Sequence, residues 1–338
     1  MSQPRIASRP GTLSPVIKNV AVLTSGGDAP GMNAAIRAVV RTAVHDGISA
    51  HFVYRGFQGL IEDEIEEVGP RSVANIIQRG GTVLRTARSM DFLKPEGRAT
   101  AAGNLRARGI DALVVIGGDG SLRGANLLEL EQGIRVMGLP GTIDNDIYGT
   151  DVTIGFNTAM NVAVDAIDRL RDTAASHDRL FLVEVMGRYS GHIALNVGVA
   201  VGAEAILIPE VKPSVEEVSD ALIKAHERGK QSSIVVVAEG AFEGGTLALE
   251  QEIVDRSHYE ARTTIIGHVQ RGGSPTTRDR VLASRLGFVA VRALQLGTSN
   301  VMVGVDKRGT SWTPLEEVTS QTKEIDWQLF EIARVLAI

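Results

Sequence analysis

Three times in its first 146 residues the chain runs from an apolar, strand-like stretch directly into glycine and then aspartate. Ala21-Val-Leu-Thr24 leads into SGGDAPGMNAAIR (25–37), Ala112-Leu-Val-Val-Ile116 into Gly117-Gly-Asp-Gly-Ser121, and Ile134–Leu139 into PGTIDND (140–146). Open α/β sheets bind their ligands beyond the carboxyl ends of their strands. Three such junctions in one sheet would form a phosphate cradle whose floor can hold a metal and accept a proton.

The rest of the chain repeats the alternation that such a sheet requires. Strands are expected at 19–24, 50–54, 112–116, 134–139, 180–186, 204–208, 233–238 and 300–305. Helices are expected at 31–46, 72–79, 97–109, 121–132, 156–176, 190–201, 214–229, 276–296 and 321–337. The start of helix 214–229 is marked by Ser214 and Glu217 in capping-box spacing, followed by Val215, Val218, Leu222 and Ala225. Alternation of this kind predicts an α/β protein with mostly parallel sheets covered by helices on both faces. At 338 residues the chain exceeds what a single core usually supports, so two lobes are expected, bridged by the helix beginning near Phe156.

Composition narrows the function. A net charge of −5 makes the whole molecule a poor electrostatic match for nucleic acid. No cysteine is present, which removes disulfides, thiolate catalysis and Cys-ligated zinc. No apolar run approaches a membrane span, and residues 1–17 have no hydrophobic core of a signal peptide, so they read as a flexible extension on a cytoplasmic protein. The basic residues are mostly arginine, which suits bidentate phosphate recognition.

The motifs can be read in two ways each. Gly26, Gly27 and Gly31 either make a tight turn or let a ligand approach the backbone and the following helix N-terminus. Asp119 is either a helix N-cap or an oxygen ligand for Mg²⁺ bridging to phosphates. Asp144 and Asp146 are either an Asx-type turn or a base and its neighbour, as in phosphoryl transfer. Arg88, Arg179, Arg188, Arg262 and Arg271 fall in loops or at strand ends, several beside glycine. Any one of them can be a solvated surface residue, but a sugar phosphate plus a nucleoside triphosphate needs several. His268 can donate to a phosphate or sit in the core, and Glu239, after the strand ending at Ala238, can bind a sugar hydroxyl or cap.

SGGDAPGMNAAIR, GGDGS, PGTIDND, EVMGRYSGH and GHVQRGGSP, in this order and spacing, closely resemble the ATP-dependent 6-phosphofructokinases from about residue 18 to 318. The resemblance implies a glycolytic kinase that moves the γ-phosphoryl of Mg·ATP to the 1-hydroxyl of fructose 6-phosphate. It further implies a homotetramer with a nucleotide lobe at 18–154 and 269–318 and a sugar-phosphate lobe at 155–268 and 319–338. Carried over by motif, Gly27, Arg88, Ser89, Gly118, Asp119, Gly120 and Ser121 contact ATP, and Asp119 ligates Mg²⁺. Asp144 is then the base, with Thr142 and Asp146 beside it, and Arg188 with Thr142 steadies the transferring group. Met186, Gly187 and Glu239 contact the sugar. His268 and Arg271 hold its 6-phosphate, joined by Arg179 and Arg262 from a neighbouring subunit. Relatives using pyrophosphate carry Asp and Lys where this chain has Gly120 and Gly141, so the two glycines are expected to leave room for ATP. A pyrophosphate-dependent enzyme is the alternative; a dinucleotide-binding dehydrogenase is disfavoured because SGGDAPGMN lacks the G-x-G-x-x-G spacing. An effector site for nucleoside diphosphate or phosphoenolpyruvate would involve Arg37, Arg41, Arg171, Glu204, Arg228 and Lys230. Ser232, where histidine is usual, and the shifted Arg71 depart from that pattern.

Overall fold

The computed structural model describes residues 17–174, 180–211, 214–228, 233–257 and 260–337. In chain order the first strands are β1 (Asn19–Ser25), β2 (Ser49–Val53), β3 (Ile65–Val68), β4 (Ala112–Gly117), β5 (Arg135–Thr142) and the short β6 (Ile154–Gly155). They are followed by β7 (Leu180–Val185), β8 (Ala205–Leu207), β9 (Ser233–Ala238), β10 (Ala261–Ile265), β11 (Val301–Asp306) and β12 (Gly309–Pro314). The early helices are α1 (Met32–His45), α2 (Gly56–Ile61), α3 (Pro95–Ala107), α4 (Asp119–Gln132) and α5 (Phe156–Ala174). The later ones are α6 (His192–Val201), α7 (Val215–Glu227), α8 (Gly245–Ser257), α9 (Thr277–Gln295), α10 (Leu315–Ser320) and α11 (Trp327–Leu336).

Two sheets result, as the alternation predicts. The larger has the order β12-β11-β5-β4-β1-β2-β3, with β6 paired to β5, and is parallel except at its two antiparallel edge strands β3 and β12. The smaller, β10-β7-β9-β8, is wholly parallel. β1, β4 and β5 are buried and, Thr24 apart, apolar in their interiors because helices cover both faces: α1 and α9 on one side, α3 and α4 on the other. The chain leaves β1 toward β2 and leaves β4 in the opposite direction toward β5, so a topological switch point lies between β1 and β4. Crevices outside the carboxyl ends of such strand pairs are where ligands bind.

Several expectations need correction. Residues 72–79 form turns rather than a helix, because Asn75 takes a left-handed conformation (φ 55°) that ends helical propagation. The helix expected at 321–337 starts only at Trp327, because residues 321–326 are an extended link from α10. Asp326 starts it by accepting from the Leu329 amide (2.9 Å). Strands β3, β6, β10 and β12 and helices α2, α8 and α10 lie outside the sequence-based list; β3, β10 and β12 are sheet edges with polar residues facing outward. Ile17, assigned to the extension, is buried in the core at 2% exposure; residues 1–16 lie outside the described residues. The Ser214 cap is present, its Oγ accepting from the Glu217 amide at 3.2 Å.

Candidate active site

The three glycine–aspartate junctions sit side by side. Ser25 is the register partner of Gly117 and Gly117 that of Pro140, so the loops leave adjacent parallel strands at the same level. Their contact is close: a Cβ on Gly26 would meet Ser121 Oγ at 3.2 Å, and one on Gly117 would meet the same side chain at 2.6 Å. Gly118 is the N-cap of α4 and Asp119 occupies its first turn, so Asp119 is not the N-cap and its carboxylate is free of that duty. It is half-exposed and pairs with Arg123 at 3.3 Å, an exposed contact of little energetic weight. The arginine-rich loop 79–89 is pinned to the same corner. Asn33 on α1 donates to Arg79 O (3.0 Å) and accepts from Val83 N (2.8 Å), and Thr24 bonds to Thr82 (2.8 Å).

From the smaller sheet, the loops after β7 and β9 meet in the same way. Arg188 has a left-handed backbone (φ 52°), and its amide donates to Glu239 Oε2 at 3.4 Å. Gly187 (φ 148°) is required, because a Cβ there would lie 2.4 Å from Ser190 O. The 3₁₀ turn Gly267–Arg271 closes over both groups of loops. Its Gln270 is fully buried, accepting from the Met186 amide (2.7 Å) and donating to Ala159 O (3.3 Å). Arg271 reaches across to the first glycine loop, donating to Asp28 O at 3.2 Å. A Cβ at Gly27 would lie 1.9 Å from its Nη1, so glycine is the residue that lets this guanidinium lie there.

Asp144 is the electrostatic centre. It is 6% exposed, and its Oδ1 has no hydrogen-bond partner among the described residues. Burial first, then the nearby Asp146 carboxylate, pushes its pKa up to about 6, with Arg271 and Arg188 acting in the opposite sense and Glu239 adding slightly. The backbone around it is fixed: its amide donates to Thr142 Oγ1 (3.2 Å) and its carbonyl accepts from Ser190 Oγ (3.1 Å). Asp146 has an accessible surface yet is closely surrounded by protein, as expected of a group lining a cleft. That crowding, together with Asp119, raises its pKa, while Arg188 and Lys323 lower it.

The structure therefore brings together Gly27, Gly118, Asp119, Gly120, Ser121, Thr142, Asp144, Asp146, Met186, Gly187, Arg188, Glu239 and Arg271 around the two sheets' carboxyl ends. Arg88 and His268 are exposed on loops leading to this corner, and Ser89 Oγ accepts from the Phe92 amide at 3.2 Å. Arg262 stands apart. It lies in the first half of β10, opposite Phe181, at the amino end of the smaller sheet, where it pairs with Glu260. Arg179, Lys230 and Ser232 lie outside the described residues. Of the two glycines expected to make room for a nucleotide, only Gly120 opens to free space. A Cβ on Gly141 would point inward, 2.9 Å from Ile116 and 3.0 Å from Met32. Of the suggested effector cluster, Arg37 and Arg41 repel each other on α1, Arg171 donates to Val201 O (2.6 Å), Glu204 is buried and accepts from the Ile234 amide, and Arg228 is exposed. Sequence reasoning missed Gln270 and Ser190, although both lie inside motifs it had singled out. It also missed Lys323, for which no local pattern exists.

Residues 19–294 match the family model described as Phosphofructokinase. The chain is 56% identical to ATP-dependent 6-phosphofructokinase 1 of Thermus thermophilus, covering 95% of this chain and 100% of that protein. It is 51% identical to ATP-dependent 6-phosphofructokinase of Staphylococcus carnosus, again covering 95% and 100%. Among solved structures it superposes on phosphofructokinase from Saccharomyces cerevisiae with a TM-score of 0.85 and 37% identity. That alignment covers 95% of this chain and 48% of the yeast chain, so the chain spans about half that protein's length. With a family model that spans β1 to α9 and curated relatives aligned over their full length, the chain belongs to the phosphofructokinase family.

Proposed function

We propose that the protein transfers the γ-phosphoryl of ATP to the 1-hydroxyl of fructose 6-phosphate, giving fructose 1,6-bisphosphate and ADP. The observation that carries the reading is Asp144: a buried carboxylate with an unpartnered oxygen, just beyond the carboxyl end of β5, with Arg188 and Arg271 in reach. A base with pKa near 6 is largely ionised at neutral pH and still basic enough to take a proton in the transition state. The names borne by relatives at 48–56% identity support ATP as donor, and the open space at Gly120 is compatible with an α-phosphate there.

In this reading the glycine loops at 26–27 and 118–121, with Arg88 and Ser89, hold the nucleotide phosphates, and the α4 N-terminus adds its dipole. Asp144 accepts the 1-hydroxyl proton while Thr142 and Arg188 steady the transferring phosphoryl. Arg271 lies between the nucleotide loop and the base, where it neutralises negative charge on either side. Met186, Gly187 and Glu239 hold the sugar, and His268 its 6-phosphate. Among the described residues no group of three acidic or histidine side chains is arranged for a metal. Asp119, a half-exposed carboxylate in the first turn of α4, fits as a ligand for Mg²⁺, which bound there would neutralise charge on the transferring group. The position of Arg262 at the amino end of its sheet, roughly 10 Å of strand from the cleft end, supports its use by another subunit, together with Arg179. The exposed β10 edge and neighbouring Val269 and Tyr189 support a homo-oligomer, which we take to be a tetramer. The lobe carrying the larger sheet is assigned to the nucleotide and the other to the sugar phosphate. Among the described residues no helix is long and apolar enough to cross a membrane. From the glycolytic reaction proposed for it we further infer a cytoplasmic enzyme. A nucleoside diphosphate or phosphoenolpyruvate effector would use Arg37 and Arg41 on α1.

The deciding experiment is a coupled assay with fructose 6-phosphate and either Mg·ATP or Mg·pyrophosphate. Turnover with ATP alone is expected. Turnover with pyrophosphate and not ATP would reverse the donor assignment.

A further inference from the structure

The extended segment 321–326 between α10 and α11 contributes a side chain to the base's own loop. Lys323 Nζ donates to Asp151 O at 2.9 Å. The same carbonyl accepts from Asn145 Nδ2 at 3.4 Å, and Asn145 Oδ1 in turn accepts from the Thr153 amide at 3.0 Å. Asn145 is the residue between Asp144 and Asp146, and it is held in a left-handed conformation (φ 55°). Asparagine tolerates this conformation better than most side chains, and here both ends of its amide are hydrogen-bonded and fix it. The two donors converging on Asp151 O are part of that restraint. Lys323 also brings a positive charge within range of Asp146 and Asp151, and its main chain bonds to buried His192 at the start of α6.

We propose that Lys323 is a positioning residue for the Asp144–Asp146 loop, locking Asn145 through the shared Asp151 carbonyl so that both carboxylates face the reacting phosphoryl group. The proposal rests on Asp144 being the base. Ser190 holds the Asp144 carbonyl from one side and Lys323 holds the loop's return from the other, so removing Lys323 frees the half carrying Asp146. Misplacement of a catalytic group by about 1 Å costs up to roughly 100-fold in rate without requiring loss of binding.

The test compares Lys323→Met, Lys323→Arg and Asn145→Ala, plus the Lys323→Met/Asn145→Ala double variant. Measured are kcat, both KM values, and hydrogen exchange of 143–153 without substrate. Lys323→Met is expected to lose at least about fivefold in kcat, with both KM values within about threefold of wild type and faster exchange in 143–153. Lys323→Arg, which keeps the charge and a donor, should recover more than half of the logarithmic loss. The double variant should be no worse than the poorer single variant, because both changes release the same carbonyl. A smaller kcat loss, unchanged exchange, an Arg variant no better than Met, or multiplicative losses in the double variant would each overturn the proposal. If the wild type itself fails to phosphorylate fructose 6-phosphate, the reading of function falls, while the exchange data still decide whether Lys323 orders the loop.

Discussion

Asp144 shows what a buried base costs. Its ordinary carboxyl pKa of 3.8 is raised to about 6, so its contribution to stability is complete below about pH 4 and is lost as pH rises through 6. At pH 8 the buried charge therefore costs on the order of 3 kcal/mol. Asp144→Asn should unfold at higher denaturant concentration than wild type at pH 8, and the advantage should disappear near pH 4. The same variant, or Asp144→Ser, should lose about 10²–10⁴-fold in turnover; retention of more than about a tenth would remove Asp144 from the base role. A second residue-scale prediction concerns Gly120, whose side-chain direction is open. Gly120→Asp would place a carboxylate near the nucleotide phosphates. Two unit charges about 4 Å apart repel by roughly 4 kcal/mol at an effective dielectric near 20, so kcat/KM for ATP should fall by about three orders of magnitude. Unchanged ATP use would show that the nucleotide does not lie on this loop. Gly141 answers differently: with Ile116 and Met32 in the way, a side chain there is expected to lower stability rather than alter donor choice.

Among the helices, one junction joins the two sheets' supporting layers. Asp279, near the start of α9, is 1% exposed and accepts from the Gly155 amide (3.0 Å), the Thr158 amide (2.8 Å) and the Thr158 hydroxyl. It thus caps α5 from outside, and α5 in turn packs on α6 and on the 3₁₀ turn carrying Arg271. Asp279→Ala leaves buried amides without acceptors and should destabilise by about 2–4 kcal/mol in chemical unfolding, with Asp279→Asn losing less because one acceptor oxygen remains. Equal losses in the two variants would mean that the acceptor geometry is not what stabilises this junction.

At the scale of the whole molecule, the prediction turns on Arg262. It stands at the amino end of the smaller sheet, away from the carboxyl-end cleft; under the proposed use by a neighbouring subunit, Arg262→Ala should raise the KM for fructose 6-phosphate far more than that for ATP. Mixing this variant with Asp144→Ser and allowing subunits to exchange should restore activity in hybrids, since some sites then combine an intact base with an intact partner arginine. Verified hybrids without recovered activity would confine Arg262 to a local role.

How much of this was legible in the chain follows from the range of the forces involved. The alternating apolar runs specified the central strands, because a strand buried on both faces must be apolar throughout, and the glycine–aspartate junctions marked their functional ends. Pairing is not local. That Ser25, Gly117 and Pro140 stand in register, that Arg271 crosses to Gly27, and that Arg262 lies at the far end of its sheet came only from the order of strands. The edge strands and the extended link at 321–326 escaped the pattern because half-exposed residues carry little hydrophobic periodicity. Lys323 escaped for a deeper reason: its meaning rests on a carbonyl 172 positions away, a distance across which only the packed core brings two groups together.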